Sequence, residues 1–119
     1  MTNKIIGKYG EEIAKNFLIK NKFEILKMNY RYSRVAEIDI IATKNNILHF
    51  IEVKTRRQEF FGSPLEAITP NKLKQIYSCA LQYMSNSKKR YKKYQIDAIG
   101  IVLNGKEIKK INFIEDITL

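Results

Sequence analysis

The sequence predicts a single α/β domain, a mixed β-sheet flanked by helices in the order α-β-β-β-α-β-β. Three observations carry that prediction. The 119 residues suffice for one hydrophobic core and are too few for two. Runs rich in Ile, Val and Phe at 37–43 and 47–54 lie between segments with helical apolar spacing. Asn45-Asn46 and Asn104-Gly105 each separate two β-rich runs, where a tight hairpin needs residues that accept positive φ.

The elements follow in order. Ile6, Gly10, Ile13, Ala14, Phe17 and Leu18 share one face of an amphipathic helix over 6–20, with Glu11 and Glu12 beside that face. Residues 23–29 alternate and predict a short strand, and 37–43 with 47–54 predict a hairpin closed by Asn45-Asn46. A loop rich in Arg, Phe, Gly and Pro runs from Thr55 to Ile68. Thr69 then has the character of a helix N-cap, and Pro70 suits the first helical position, where its missing N–H costs nothing. Leu73, Ile76, Tyr77, Ala80, Leu81 and Met84 recur at helical spacing behind it. The basic stretch 85–93 predicts a solvated loop. Two strands, 95–103 and 107–114, end the chain around Asn104-Gly105.

Composition narrows the function classes. No segment has the apolar length of a membrane span, and the N-terminus turns acidic before an apolar stretch can build. The single cysteine, Cys79, sits in the helical pattern and predicts a core thiol in a reducing compartment, hence a cytoplasmic protein. Lys and Arg total 22 against 12 Asp and Glu, a net charge of +10 with a pI near 9.7. Nucleic acid is the polyanion that such a balance favours, although a lysine-rich proteome would raise the same count.

The hairpin gives that charge a chemistry. A two-residue turn at Asn45-Asn46 places Asp39 opposite Glu52 and Glu37 opposite Lys54. Opposed side chains lie roughly 5 Å apart, and residues two apart on a strand share a face, so the four form one patch. Cross-strand ion pairs would account for Glu37 with Lys54. They do not account for two carboxylates facing each other, which a divalent cation with a taste for hard oxygen would reconcile. Lys54 could polarise a phosphate oxygen or help deprotonate an attacking water. Glu52 and Lys54 also interrupt a run of Phe50, Ile51 and Val53 that could have been wholly buried.

These motifs carry a resemblance. Glu37-Ile-Asp39-Ile-Ile-Ala42, Phe50-Ile-Glu52-Val-Lys54-Thr-Arg56 and Phe61-Gly62-Ser-Pro64 resemble the YraN family of small bacterial proteins, with Glu-x-Lys-Thr-Arg the most specific segment. Gly10-Glu11 with Ala14, Asn29-Tyr-Arg31, Pro70 with Lys72, and Asp97 extend the likeness over nearly the whole chain. Two departures stand out. Ala36 replaces a usual Gly before Glu37, and Gln95-Ile96-Asp97 replaces a frequent Arg-Phe-Asp.

The resemblance implies the restriction-endonuclease-like, PD-(D/E)XK fold, with a likeness to archaeal Holliday-junction resolvases. It implies a metal-dependent endonuclease acting on DNA, branched or structured DNA among its substrates, working as a homodimer with Mg²⁺ or Mn²⁺. Asp39 and Glu52 are then the metal ligands, with Glu11 reaching the same ion from the first helix. Lys54 is the catalytic base or electrostatic stabiliser, and Glu37 supports it.

Arg31, Arg56, Arg57 and Lys72 are expected contacts to nucleic acid. So are Lys88, Lys89, Arg90, Lys92 and Lys93, where charge interleaves with Tyr91 and Tyr94. Lone His49, on the face opposite Glu52, is expected to pack rather than to act. Two other classes remain open: a non-catalytic nucleic-acid-binding module of the same fold, and an adaptor for a larger repair or uptake machine.

Overall fold

A computed structural model describes residues 1–58 and 62–117. Two helices cover the two faces of a five-stranded sheet. In chain order the elements are α1 (Asn3–Lys20), β1 (Glu24–Arg31), β2 (Glu37–Lys44), β3 (Ile47–Arg57), α2 (Pro70–Asn86), β4 (Lys93–Asn104) and β5 (Glu107–Ile114). The strands lie in the order β1-β2-β3-β4-β5. Only β3 and β4 are parallel among these neighbours, because α2 forms the crossover between them. This is the expected mixed sheet and element order.

Local chemistry explains most boundaries. Asn45 and Asn46 both take positive φ, 54° and 62°, as a two-residue hairpin turn requires. The β2–β3 ladder follows from that turn, pairing Lys44 with Ile47 through to Ile40 with Ile51. Thr69 caps α2, its hydroxyl accepting from the Lys72 amide, and Pro70 begins the helix. The final hairpin is displaced by one residue from expectation. Asn104 pairs with Glu107, so the turn is Gly105-Lys106, with Gly105 at φ 60°. The loop after β3 is shorter than expected, since β3 runs on to Arg57 and Pro64–Ala67 form a 3-10 turn. Phe61, part of the motif Phe61-Gly62-Ser-Pro64, lies outside the described residues.

Each face has its own core. Ile6, Ile13, Ala14 and Leu18 of α1 pack on Ile40, Ala42, Ile51, Val53, Ile99 and Ile101. On the other face Ile76, Cys79 and Ala80 of α2 pack on Ile38, Ile41, Leu48, Phe50 and Ile96. Burying aliphatic side chains of this size contributes about 1.5–3 kcal/mol each. Two residues of the predicted α2 stripe point outward instead: Tyr77 and Leu81 are each 45% exposed, and Cys79 takes the core position. Among the described residues, no helix is long and apolar enough to cross a membrane.

Candidate metal and nucleic-acid site

The site lies where β2 and β3 part. Their ladder ends at Ile40–Ile51, while β2 continues to pair with β1 as far as Arg31–Glu37. In the gap, a side chain replaces the backbone: the Asp39 carboxylate accepts the Val53 amide at 2.8 Å. A strand that leaves its neighbour would otherwise strand that amide without a partner.

Glu52 sits beside Asp39 and is 2% exposed. Burial first, and then the neighbouring Glu52 charge, push the Asp39 carboxyl from 3.8 up to about 8. The Glu52 carboxyl faces that of Asp39 closely enough to oppose its ionisation. Two lysines balance the remaining charge. Lys54 Nζ is 3.8 Å and Lys72 Nζ 3.6 Å from Glu52 Oε2. The contact from Lys72 arises because the first turn of α2 lies over the end of β3, a long-range placement that spacing along the sequence does not reveal.

Glu11 is held near this pair but not within it. Gly10 sets the approach of α1: a Cβ there would come within 1.8 Å of Thr55 Oγ1, so only glycine lets α1 lie this close to β3. Glu11 is half-buried, and burial raises its pKa, with the Asn29 hydrogen bond opposing that shift and the Asp39 charge adding to it. Its carboxylate accepts from Asn29 Nδ2 at 2.8 Å. Glu11, Asp39 and Glu52 do not form a group with ligand atoms all within 4.8 Å of one another.

Glu37 departs from its expected place. It does not lie against Lys54: its carboxylate is 2.7 Å from Arg31 Nη2 and accepts from Asn29 Nδ2 at 3.2 Å. The physical reason is the parting of the strands, which carries this end of β2 away from β3 and leaves it with β1. Asn29, at φ 52°, thus joins Glu11 to Glu37.

The basic residues fall into separate groups. Arg56 and Arg57 continue β3 beyond Lys54. With Lys54, Thr55 and Asn3 they line a recess of about 280 Å³ between the start of α1 and the 3-10 turn. Arg57 also donates to the Met1 carbonyl. Arg31 is tied to Glu37 and to the Arg34 carbonyl. The cluster Lys88, Lys89, Arg90, Lys92 and Lys93 is not beside the carboxylates. Lys93 pairs with Ile47, the first residue of β3, five residues before Glu52.

His49 has partners that no local pattern signals. It does lie among the α1-side residues, its ring against Phe23 at 4.9 Å between centroids. Its Nδ1 is 2.5 Å from Asp97 Oδ2, and both groups are buried. Asp97 Oδ1 further accepts from Gln95 Nε2 and from the Asp116 amide, each at 2.8 Å. Gln95 therefore serves Asp97 directly. His49, Asp97 and Glu115 offer ligand atoms within 4.8 Å of one another. The three hydrogen bonds to Asp97 give this cluster a structural role in holding the C-terminal segment to β4.

A two-helix, five-strand α/β fold with an acidic pair beside lysines defines the class. The chain belongs to the uncharacterised protein family UPF0102, the YraN family, whose model matches residues 10–101. A UPF0102 protein of Dictyoglomus thermophilum is 45% identical over 104 residues, 87% of each chain. One from Clostridium novyi is 43% identical over 115 residues, covering 96% of this chain and 95% of its own. One from Caldicellulosiruptor bescii is 40% identical over 119 residues, 98% of each.

Proposed function

We propose that this protein is a Mg²⁺- or Mn²⁺-dependent nuclease that hydrolyses phosphodiester bonds in DNA. The observation that carries the reading is the pairing of half-buried Asp39 with buried Glu52, with Lys54 and Lys72 at its edge. Two adjoining carboxyl groups, one of which makes the other harder to ionise, form a costly arrangement, and a structural role would be served as well by one acid and one amide. Their oxygens are the hard, anionic donors that Mg²⁺ and Mn²⁺ prefer.

Asp39 and Glu52 would hold the ion. Glu11 would join them once its carboxylate leaves Asn29. When bound, the ion supplies positive charge that acidifies an attacking water and stabilises the phosphate as negative charge builds. Lys54 and Lys72 place ammonium groups at the same edge, where they would neutralise a phosphate oxygen, and only the deprotonated amine of Lys54 could take a proton from water. Arg56 and Arg57, beyond Lys54, would hold the backbone flanking the cut. Arg31 steadies Glu37, and Glu37 with Asn29 orients Glu11. Resolvase-like cutting of both strands at a branch would take two copies of the chain, so a homodimer and branched DNA belong to this reading.

The experiment is cleavage of labelled linear, single-stranded, flapped and four-way-junction DNA with Mg²⁺ or Mn²⁺. Cleavage that needs the metal, and is lost in Asp39→Ala, is the expected result. Intact substrates throughout, with salt-sensitive binding retained by both proteins, would leave a non-catalytic DNA-binding module instead.

A further inference from the structure

The chain's positive charge is distributed unevenly. Residues 70–94 contain no Asp or Glu, and they hold Lys72, Lys74, Lys88, Lys89, Arg90, Lys92 and Lys93. These seven cations equal most of the net charge of +10. The segment is α2 with the loop that follows it: two lysines stand in the first turns of the helix, and five cations gather beyond its C-terminus, with a neutral stretch between them.

That far end is a built surface. Lys88, Lys89, Arg90, Lys92 and Lys93 are all exposed and surround a groove of about 520 Å³ floored by Met84, Ser85 and Ser87. The loop is tied at both ends. Ser87 Oγ donates to the Lys89 carbonyl at 3.2 Å, and the Lys92 amide donates to the Asn46 carbonyl at 2.9 Å. Lys89 lies over the Tyr91 ring, 5.2 Å from its centroid. Cations on an already ordered loop lose less entropy on binding than cations on a free one. Exposed like charges this close repel one another, and a polyanion relieves the repulsion.

We propose that this groove is a second binding site for the phosphate backbone of the same DNA, remote from the cutting centre, and that the two sites are bridged by the substrate along α2. The proposal rests on the nuclease reading for what happens at the Asp39–Glu52 end, but the groove's binding is measurable without cleavage. Geometry sets the span. Glu52 pairs across the sheet with Ala98, and Lys93 lies five residues back along β4, roughly 16 Å at strand rise. Lys72 to Lys88 along the helix direction is about 24 Å at helical rise. At about 3.4 Å per nucleotide step, the substrate must reach about 5–7 base pairs from the cut to fill the groove. The anionic side chains nearest the loop in sequence, Glu66 and Asp97, lie outside this segment, so no carboxylate on α2 interrupts the track.

The test is metal-free binding of a labelled hairpin duplex of about 20 base pairs, and of one of about 4, by fluorescence anisotropy across a salt series. The proteins are wild type, a variant with Gln at 88, 89, 90, 92 and 93, and a control with Gln at Lys106, Lys109 and Lys110. The loop variant should bind the long duplex at least about 10-fold more weakly at low salt and flatten the plot of log affinity against log salt by about 3. On the short duplex, which cannot bridge the two sites, the loss should be smaller. The control should keep the wild-type slope. An unchanged slope in the loop variant, or an equal loss per charge removed in the control, would overturn the proposal. Loss of cleavage with this binding pattern intact would instead count against the nuclease reading alone.

Discussion

Asp39 accepts the amide of Val53 at 2.8 Å, at the first position beyond the Ile40–Ile51 pair that ends the β2–β3 ladder. The contact holds two parting strands at a fixed spacing and keeps the Asp39 carboxyl against Glu52. It also makes the site's electrostatics measurable.

Asp39 should make the fold pH-sensitive. Burial and Glu52 raise its folded pKa to about 8 from 3.8. The folded chain then keeps a proton across a window in which the unfolded chain has released it. That contribution is fully present below about pH 3.8 and is lost as pH rises through about 8, by at most about 1.4 kcal/mol per unit. Asp39→Asn cannot ionise and can still accept from Val53. Its Tm relative to wild type should therefore climb between about pH 5 and about pH 8.5. A difference that stays flat would show that the pair carries no such strain.

Lys54 and Lys72 should separate in their effects. Lys54→Met should reduce cleavage on the order of 100-fold with the fold intact, as expected for loss of a group acting on developing charge. Lys72→Met should leave a weaker defect in turnover: both ammonium groups meet Glu52 Oε2, but Lys72 reaches it from the first turn of α2 whereas Lys54 stands on β3 with Glu52. Single-turnover rates on one substrate distinguish the two, and equal defects would assign both lysines the same role.

Gly10 should resist substitution even though it lies within a helix. Alanine gains about 1 kcal/mol of helix propensity there. Its Cβ would lie 1.8 Å from Thr55 Oγ1, and overpacking of that kind costs about 1–3 kcal/mol. Gly10→Ala should therefore lower stability in urea unfolding, and Gly10→Ala combined with Thr55→Gly should recover part of the loss. A stabilised Gly10→Ala would mean that α1 shifts freely on β3.

Asp97 should matter to stability and not to cleavage. Asp97→Ala removes the acceptor that Asp97 offers His49, Gln95 and the Asp116 amide, at about 1–3 kcal/mol for the buried His49 ring. Hydrogen exchange should quicken at Asp116 and Ile117, whose amides tie the C-terminal segment to β4. Loss of DNA cleavage in a variant that remains folded would move the chemistry toward this cluster.

Much of this was legible in the residues because it depends on short range. Two asparagines with positive φ set the hairpin register, which brings Asp39 and Glu52 to the end of the ladder, and the Val53 amide then holds the Asp39 carboxyl there. Thr69 and Pro70 marked the start of α2 for equally local reasons. What escaped depends on contacts distant in sequence. Lys72 meets Glu52 because α2 crosses over the sheet, and Asn29 reaches Glu11 because β1 lies under α1. Glu37 was assigned to Lys54 by extending an ideal ladder, whereas the strands part before reaching it. His49 found Asp97 through parallel pairing of β3 with β4, which no hairpin pattern encodes.

The most direct measurement is Mn²⁺ binding followed by electron paramagnetic resonance in wild type, Asp39→Asn, Glu52→Gln and His49→Gln. Binding is expected in wild type and His49→Gln, competed by Mg²⁺, with its loss in both Asp39→Asn and Glu52→Gln. Binding that survives in those two variants and disappears in His49→Gln would place the ion at the His49–Asp97–Glu115 cluster and contradict the assignment.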